Sequence, residues 1–518
     1  MGRKQPTFSK SRYVSGVQCP KILWMKRNMP ENDDSVMNQV VLDTGNKVGD
    51  LAMQFFGKFT EVKYTPDISE MVAVTNELME ADAEVITEAA FMYDGDLCIV
   101  DILRKVPGGY EIIEVKGSSG SPGDTANDVK EVYLHDMSFQ AYILTNNKLN
   151  IKSVKLMCLN RNYVRKGDLE TDLDIQELFV LIDCTKTVFK MMQDVDKNIA
   201  HFKAYMIQEQ EPVIDIGGRC DNPYTCGYKG WCFRELPENV SIFDIGWSMR
   251  MAKKEIAYQN GIYSFHDALT AVNDGKLKLN DKQLNQIKFA IQDIEPIIDK
   301  TCINNFLSKV RYPLYFLDFE TFMPAIPPWK NTSPFNQITF QYSLHVQNEF
   351  GGSVSHKEYL GRDGLDPRRE LAEALCNDIP KDACVIAYNM TFEKNRIKEM
   401  AAIFPDLSGH LLDINANMID LMEPFSKGAY YSRTMGGGYS IKQVLPSLIQ
   451  GDPELDYKKL DERVQHGGNA MDIYPIMHLQ PPEEKEAIRK ALLAYCRLDT
   501  LAMVKVLEKL YELTEEQE

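Results

Sequence analysis

The chain has 518 residues, 44% hydrophobic and 26% charged, which excludes a disordered chain and suggests two to four domains. The net charge of −17 argues against nucleic-acid binding spread over the whole surface. No run of about 18 apolar residues predicts a membrane span, and the polar, basic start carries no apolar signal core. A reducing, cytoplasmic setting and no membrane partner are expected.

The first 27 residues carry seven basic side chains (Arg3, Lys4, Lys10, Arg12, Lys21, Lys26, Arg27) and no acid. Such a run reads either as a solvated tail or as a phosphate-contacting segment. Cys19 lies within it. Strands are expected through Thr87–Phe91, Leu97–Leu103 and Tyr110–Gly117, with a turn at Pro107-Gly108-Gly109. Asp101 stands on one strand, and Glu114-Val-Lys116 on the next puts an acid and an amine on one face. Gln140 follows on a helix. Two acids beside a lysine suit a metal held by Asp101 and Glu114, with Lys116 stabilising charge on a phosphate.

Of the eleven cysteines, seven are scattered among apolar neighbours and read as core thiols in a reducing compartment. Cys220, Cys226 and Cys232 are evenly spaced in a loop with Pro223, Gly227 and Gly230. Three thiolates need a fourth ligand, and Cys19 is the candidate. Five-residue gaps suit a [4Fe–4S] cluster better than zinc, whose sites favour tight Cys-x-x-Cys pairs.

This first segment resembles the PD-(D/E)XK superfamily, in its RecB-like branch with an iron–sulfur cluster. CRISPR-associated RecB-like exonucleases and AddB-type nucleases place one cysteine before the nuclease core and three after it, the order of Cys19 and then Cys220, Cys226 and Cys232. The resemblance implies a restriction-endonuclease-like fold over 1–238, with Asp101, Glu114, Lys116 and Gln140 as its site. Two family positions depart: 44–49 holds no histidine, and Leu144 stands where a tyrosine is usual.

Helical patterns over 249–260, 265–272 and 279–298 predict a helical connector over 239–310. Strands are then expected at 312–318, 338–346 and 383–388, a helix at 367–376, and a closing helix at 487–510. Alternating strands and helices indicate an α/β domain over 311–518.

Strand periodicity puts Asp318 and Glu320 on one face, where they repel each other unless a cation lies between them. Glu393 follows the third strand. Tyr495 and Asp499 share a helical face. Four acids and a tyrosine suit two Mg²⁺ or Mn²⁺ ions that clamp the attacking and leaving oxygens of a phosphodiester.

These motifs resemble the DnaQ-like (DEDD) 3′-to-5′ exonucleases on a ribonuclease H-like fold. Asp318 and Glu320 match the first motif, Glu393 the second, and Tyr495 with Asp499 the tyrosine form of the third. Glu393 stands where the family usually has aspartate, and Asp420 is assigned a structural role. The resemblances together imply a bacterial two-module nuclease acting on DNA in repair, recombination or defence, beside a helicase or similar partner. The alternatives are an RNA-processing exonuclease and a non-catalytic nucleic-acid-binding scaffold.

Overall fold

The computed structural model describes residues 7–36 and 38–515, so Arg3, Lys4 and the last three residues of the acidic end lie outside the described residues. The chain is a mixed α/β protein that divides into two compact units. Among the described residues, no helix is long and apolar enough to cross a membrane.

The first unit comprises Met1–Leu236 and Pro324–Asn336. It opens with helices α1 (Lys10–Gln18) and α2 (Pro20–Asn28). Its sheet has six strands in sequence order: β1 (Thr60–Glu61), β2 (Val85–Tyr93), β3 (Asp96–Val106), β4 (Gly109–Gly120), β5 (Ile151–Asn160) and β6 (Phe179–Asp183). Strands β2, β3 and β4 form an antiparallel meander. The turn before β4 uses Pro107 and then Gly108 at φ +79°, the pairing that a tight turn with a left-handed third residue requires. β4 and β5 run parallel, so the chain must cross over, and helix Glu131–Asn146 makes the crossing. Adjacent residues face opposite sides of the sheet. Ile112 packs with Leu134, Phe139 and Ile143 of that helix, whereas Ile113 packs with Val48 and Ala52 on the other side.

The second unit comprises Pro237–Met323 and Gln337–Glu518. The segment read as a connector therefore groups with the C-terminal module. Its helices are Met251–Gln259, Phe265–Asn273 and Asp281–Ile291. The third stops short of the expected end because Pro296 is followed by the short strand β7 (Ile297–Ile298), and proline disfavours helix in the residue before it. The main sheet holds β8 (Leu314–Phe322), β9 (Ile338–Gln347), β10 (Val354–Leu360), β11 (Cys384–Ala387) and β12 (Met418–Asp420), in the order β10-β9-β8-β11-β12. β8 begins after Pro313, which has no N–H to donate to a ladder. It pairs antiparallel with β9 and parallel with β11.

Along β8, Leu317 and Phe319 enter one core, with Leu371 and Leu375. Leu314 and Phe316 enter another, with Leu498 and Ala502 of the closing helix Pro482–Thr514. Period two then puts Asp318 and Glu320 on the face that the closing helix covers. That helix starts earlier than expected because Pro482 suits the first helical position, where no N–H is needed.

The stretch Pro324–Asn336 lies between β8 and β9 in sequence, yet it belongs to the first unit. The Arg165 guanidinium donates to the carbonyls of Pro327 (2.8 Å) and Pro328 (3.0 Å), and its backbone N–H to Thr332 (3.0 Å).

Candidate functional site

The second unit gathers acids from three elements. Asp318 and Glu320 come from β8, Glu393 from helix Thr391–Ile403, and Asp499 with Tyr495 from the closing helix. Ligand atoms of Asp318, Glu320 and Cys496 lie within 4.8 Å of one another. Cys496 Sγ is 3.5 Å from Asp318 Oδ2, and burial pushes its thiol far up, so it donates as a thiol.

The carboxylates burden one another. Burial raises Asp318 well above the usual range, and Asp499, Glu320 and Glu393 add to the rise. Glu320 is pushed up to about 8 by burial and by Asp499, with Lys442 opposing. Glu393 is also pushed up to about 8, by burial and by Asp420. Its Oε2 is buried and has no hydrogen-bond partner. Burial raises Asp499 too, against Lys442 and hydrogen bonds from Tyr457 and Tyr495. Buried carboxylates that raise each other can all ionise only beside a cation. An all-oxygen donor set with an orphaned carboxylate oxygen fits Mg²⁺ or Mn²⁺.

Lys442, on helix Ile441–Leu448, faces both tyrosines of this site. Its Nζ lies 3.4 Å from the Tyr495 hydroxyl, 5.0 Å from the Tyr495 ring centre and 4.8 Å from that of Tyr457. Lys442 and Tyr457 carried no motif in the sequence. Cys496 reads from the sequence as a core thiol, although its place three residues before Asp499 on a helix was a signal. Asp420 stands apart in role: its Oδ1 accepts the backbone N–H of Asn389 (2.9 Å) and of Met422 (3.0 Å), and it shapes the turn before Glu393.

The first unit also brings its expected residues together. Lys116 Nζ is 2.6 Å from Glu114 Oε1 and 2.9 Å from Asp136 Oδ2. Gln140 Nε2 donates to Glu114 Oε2 at 2.6 Å and to Asp136 Oδ1 at 3.2 Å. Asp136, one helical turn before Gln140, was not singled out from sequence; the four-residue spacing was its signal. Burial and Glu114 push Asp101 up to about 7. Burial alone would raise Glu114, but Lys10 and Lys116 hold it well below the carboxylate range.

Cys19 caps the junction between α1 and α2; Cys220 ends the single turn Gly218–Cys220, Cys226 lies in the loop after it, and Cys232 is on the short helix Lys229–Phe233, so the expected single loop is broken by helix. Burial raises the Cys220 and Cys226 thiols, and charge on their neighbours Cys19 and Cys232 raises both further. The Gln18 side chain ties the loop to α1, donating to the carbonyls of Arg219 (2.8 Å) and Tyr224 (2.7 Å). Four neighbouring thiols are a ligand set for an iron–sulfur cluster or for zinc.

A domain of unknown function (DUF2779) matches residues 315–440, which include Asp318, Glu320 and Glu393. An uncharacterized protein of Mycoplasma pneumoniae is 23% identical over 76% of this chain and 65% of its own length. One from Mycoplasma genitalium is 25% identical over 48% of this chain and 40% of its own. One from Ureaplasma parvum is 30% identical over 30% of this chain and 24% of its own. The chain thus spans less than two thirds of the length of each of these relatives.

Proposed function

We propose that the second unit is a metal-dependent 3′-to-5′ exonuclease of ribonuclease H-like fold, acting on DNA. The observation that carries this reading is the convergence of Asp318, Glu320, Glu393 and Asp499, all raised by burial, with Asp318 and Glu320 raised further by charge on the others, beside Tyr495. A cluster of ionisable groups so unfavourable without a cation is a poor structural device and a good metal site. The acid-bearing β8 at the middle of a five-stranded sheet supports the fold.

Asp318, Glu320, Glu393 and Asp499 would hold Mg²⁺ or Mn²⁺. Bound there, the metal neutralises the acids and stabilises the attacking and leaving oxygens of the phosphodiester. Burial and the nearby acids keep the Tyr495 phenol protonated at any working pH, so it orients a water as a hydrogen-bonding group and takes no proton itself. Lys442 offsets negative charge on the phosphate from the tyrosine side. Tyr457 holds Asp499 in place through its hydroxyl.

The first unit is read as a PD-(D/E)XK fold stapled by a [4Fe–4S] cluster on Cys19, Cys220, Cys226 and Cys232. The cluster closes a loop of about two hundred residues and so acts structurally. A role in repair, recombination or defence, beside a helicase-type partner, is proposed on the same resemblance.

Digestion of end-labelled DNA and RNA, single- and double-stranded, with Mg²⁺ or Mn²⁺ against EDTA, tests the reading. Shortening from the 3′ end should need metal and should fall at least about 10²-fold in Asp318→Ala. Equal degradation by Asp318→Ala would overturn it, and preference for RNA would move the substrate class.

A further inference from the structure

Asp101 and Glu114 are the acids that the sequence pattern assigns to a metal in the first unit. In the folded chain an ammonium lies between them. Lys10 Nζ is 3.1 Å from Glu114 Oε2, 3.3 Å from Glu114 Oε1 and 3.5 Å from Asp101 Oδ1. Glu114 is further engaged on both oxygens, and Asp101 on one. Lys116 and Gln140 each donate to Glu114 at 2.6 Å, and the Val115 amide donates to Asp101 Oδ2 at 2.7 Å. Mg²⁺ needs oxygens at about 2.0–2.1 Å in a near-ideal octahedron, so it would compete with Lys10 for one place and one set of lone pairs. The residues present do not fit a divalent ion.

Lys10 is not on a loose tail. Ser9 caps α1, and the Phe8 amide donates to Asp96 Oδ1 at 2.7 Å. Tyr13 stacks on Phe139 with ring centres 5.1 Å apart and accepts from Asn198 at 3.1 Å. At Gly16 a Cβ would meet Phe202 at 2.7 Å and Leu23 at 2.9 Å, so glycine lets α1 approach both. The other end of α1 is capped by Cys19. The helix that inserts Lys10 is packed along its length.

We infer that Lys10 is the resident cation of the first-unit site and holds that site closed to divalent metal. The site is then an ion-pair network of three acids, Asp101, Glu114 and Asp136, with two lysines, Lys10 and Lys116. The inference stands whether or not the second unit cleaves.

Mn²⁺ bound per full-length chain, counted by electron paramagnetic resonance, tests it. The background carries Asp318→Asn and Asp499→Asn to remove acids of the second unit. With Lys10 present, adding Glu114→Gln should leave the count unchanged. Lys10→Met should add one Mn²⁺ per chain, and Glu114→Gln should then remove it, whereas Lys10→Arg should add none. Loss of one Mn²⁺ on adding Glu114→Gln to the Lys10 chain would overturn the inference, as would a folded Lys10→Met chain that gains none. If Lys10→Met does not fold, the Glu114→Gln comparison decides alone.

Discussion

The Tyr457 hydroxyl donates a hydrogen bond to Oδ1 of Asp499, a residue 42 positions further along the chain. The bond fixes one acid of the second-unit cluster from the short turn Tyr457–Lys459, whose Tyr457 also packs against the core. Partners that orient a metal ligand typically contribute 10–100-fold to metal affinity or activity. Tyr457→Phe should therefore raise the Mg²⁺ concentration for half-maximal cleavage by about that factor. An unchanged metal midpoint would show that Tyr457 only packs.

Tyr495→Phe should cost less than Asp318→Ala. Asp318 is raised by three other acids and so stands at the centre of the cluster, while Tyr495 contributes one hydroxyl. Losing the central acid should remove at least about 10² in rate, the range for one stabilising group at the transition state. Initial rates on a 3′-labelled strand give the order, and a Tyr495→Phe loss equal to that of Asp318→Ala would refute it.

The buried acids make the metal-free protein sensitive to pH. Glu320 and Glu393 are pushed up to about 8 in the folded chain, above their unfolded value. Between the unfolded value, about 4.3, and 8 the native state binds more protons than the unfolded state, so stability falls as pH rises through that window. In EDTA the second unit should melt at higher temperature at pH 6 than at pH 8. Mg²⁺ should raise that melting temperature more at pH 8, where it need not displace protons. A metal-free melting temperature that rises from pH 6 to pH 8 would contradict the assignment.

Protein prepared without oxygen should be brown and absorb near about 400 nm, from thiolate-to-iron charge transfer at Cys19, Cys220, Cys226 and Cys232. Cys220→Ser should lower soluble yield, because the ligand closes the unit. Stoichiometric zinc without iron would reject the cluster.

Regular elements made much of this legible in the sequence. Asp318 and Glu320 share a strand face by period two, Tyr495 and Asp499 a helix face by period 3.6, and each signal is local. Lys442 and Tyr457 reach the site from a short helix and a single tight turn, where no periodicity marks a side chain's direction. Lys10 stood in a basic run that read as a tail or a phosphate contact. Its insertion between two acids depends on how Tyr13 and Gly16 pack, which spacing does not encode. The place of Pro324–Asn336 in the first unit rests on carbonyls bound by Arg165, about 160 residues earlier, and such bonds leave no pattern.

Glu88 offers a test of strain beside the first-unit site. It lies in β2 with φ +56°, a left-handed conformation inside a strand. The ladder to β3 pairs Thr87 with Ile102 and Ala89 with Val100, and skips the position where Glu88 would face Asp101. A side chain in that conformation costs roughly 1–2 kcal/mol, which glycine does not incur. Burial also raises Glu88, opposed by Lys10, with Glu61 and Glu114 adding to the rise, so removing the acid has its own effect on stability. Comparing Glu88→Gly with Glu88→Ala cancels the loss of the carboxylate and isolates the backbone. Glycine gives back part of the gain because its unfolded chain is freer, by roughly 0.5–1 kcal/mol. The glycine variant should still be the more stable, by about 0.5–1 kcal/mol in denaturant unfolding of the first unit. An alanine variant as stable as the glycine variant would mean that the strand relaxes to ordinary geometry and that Glu88 stores no strain.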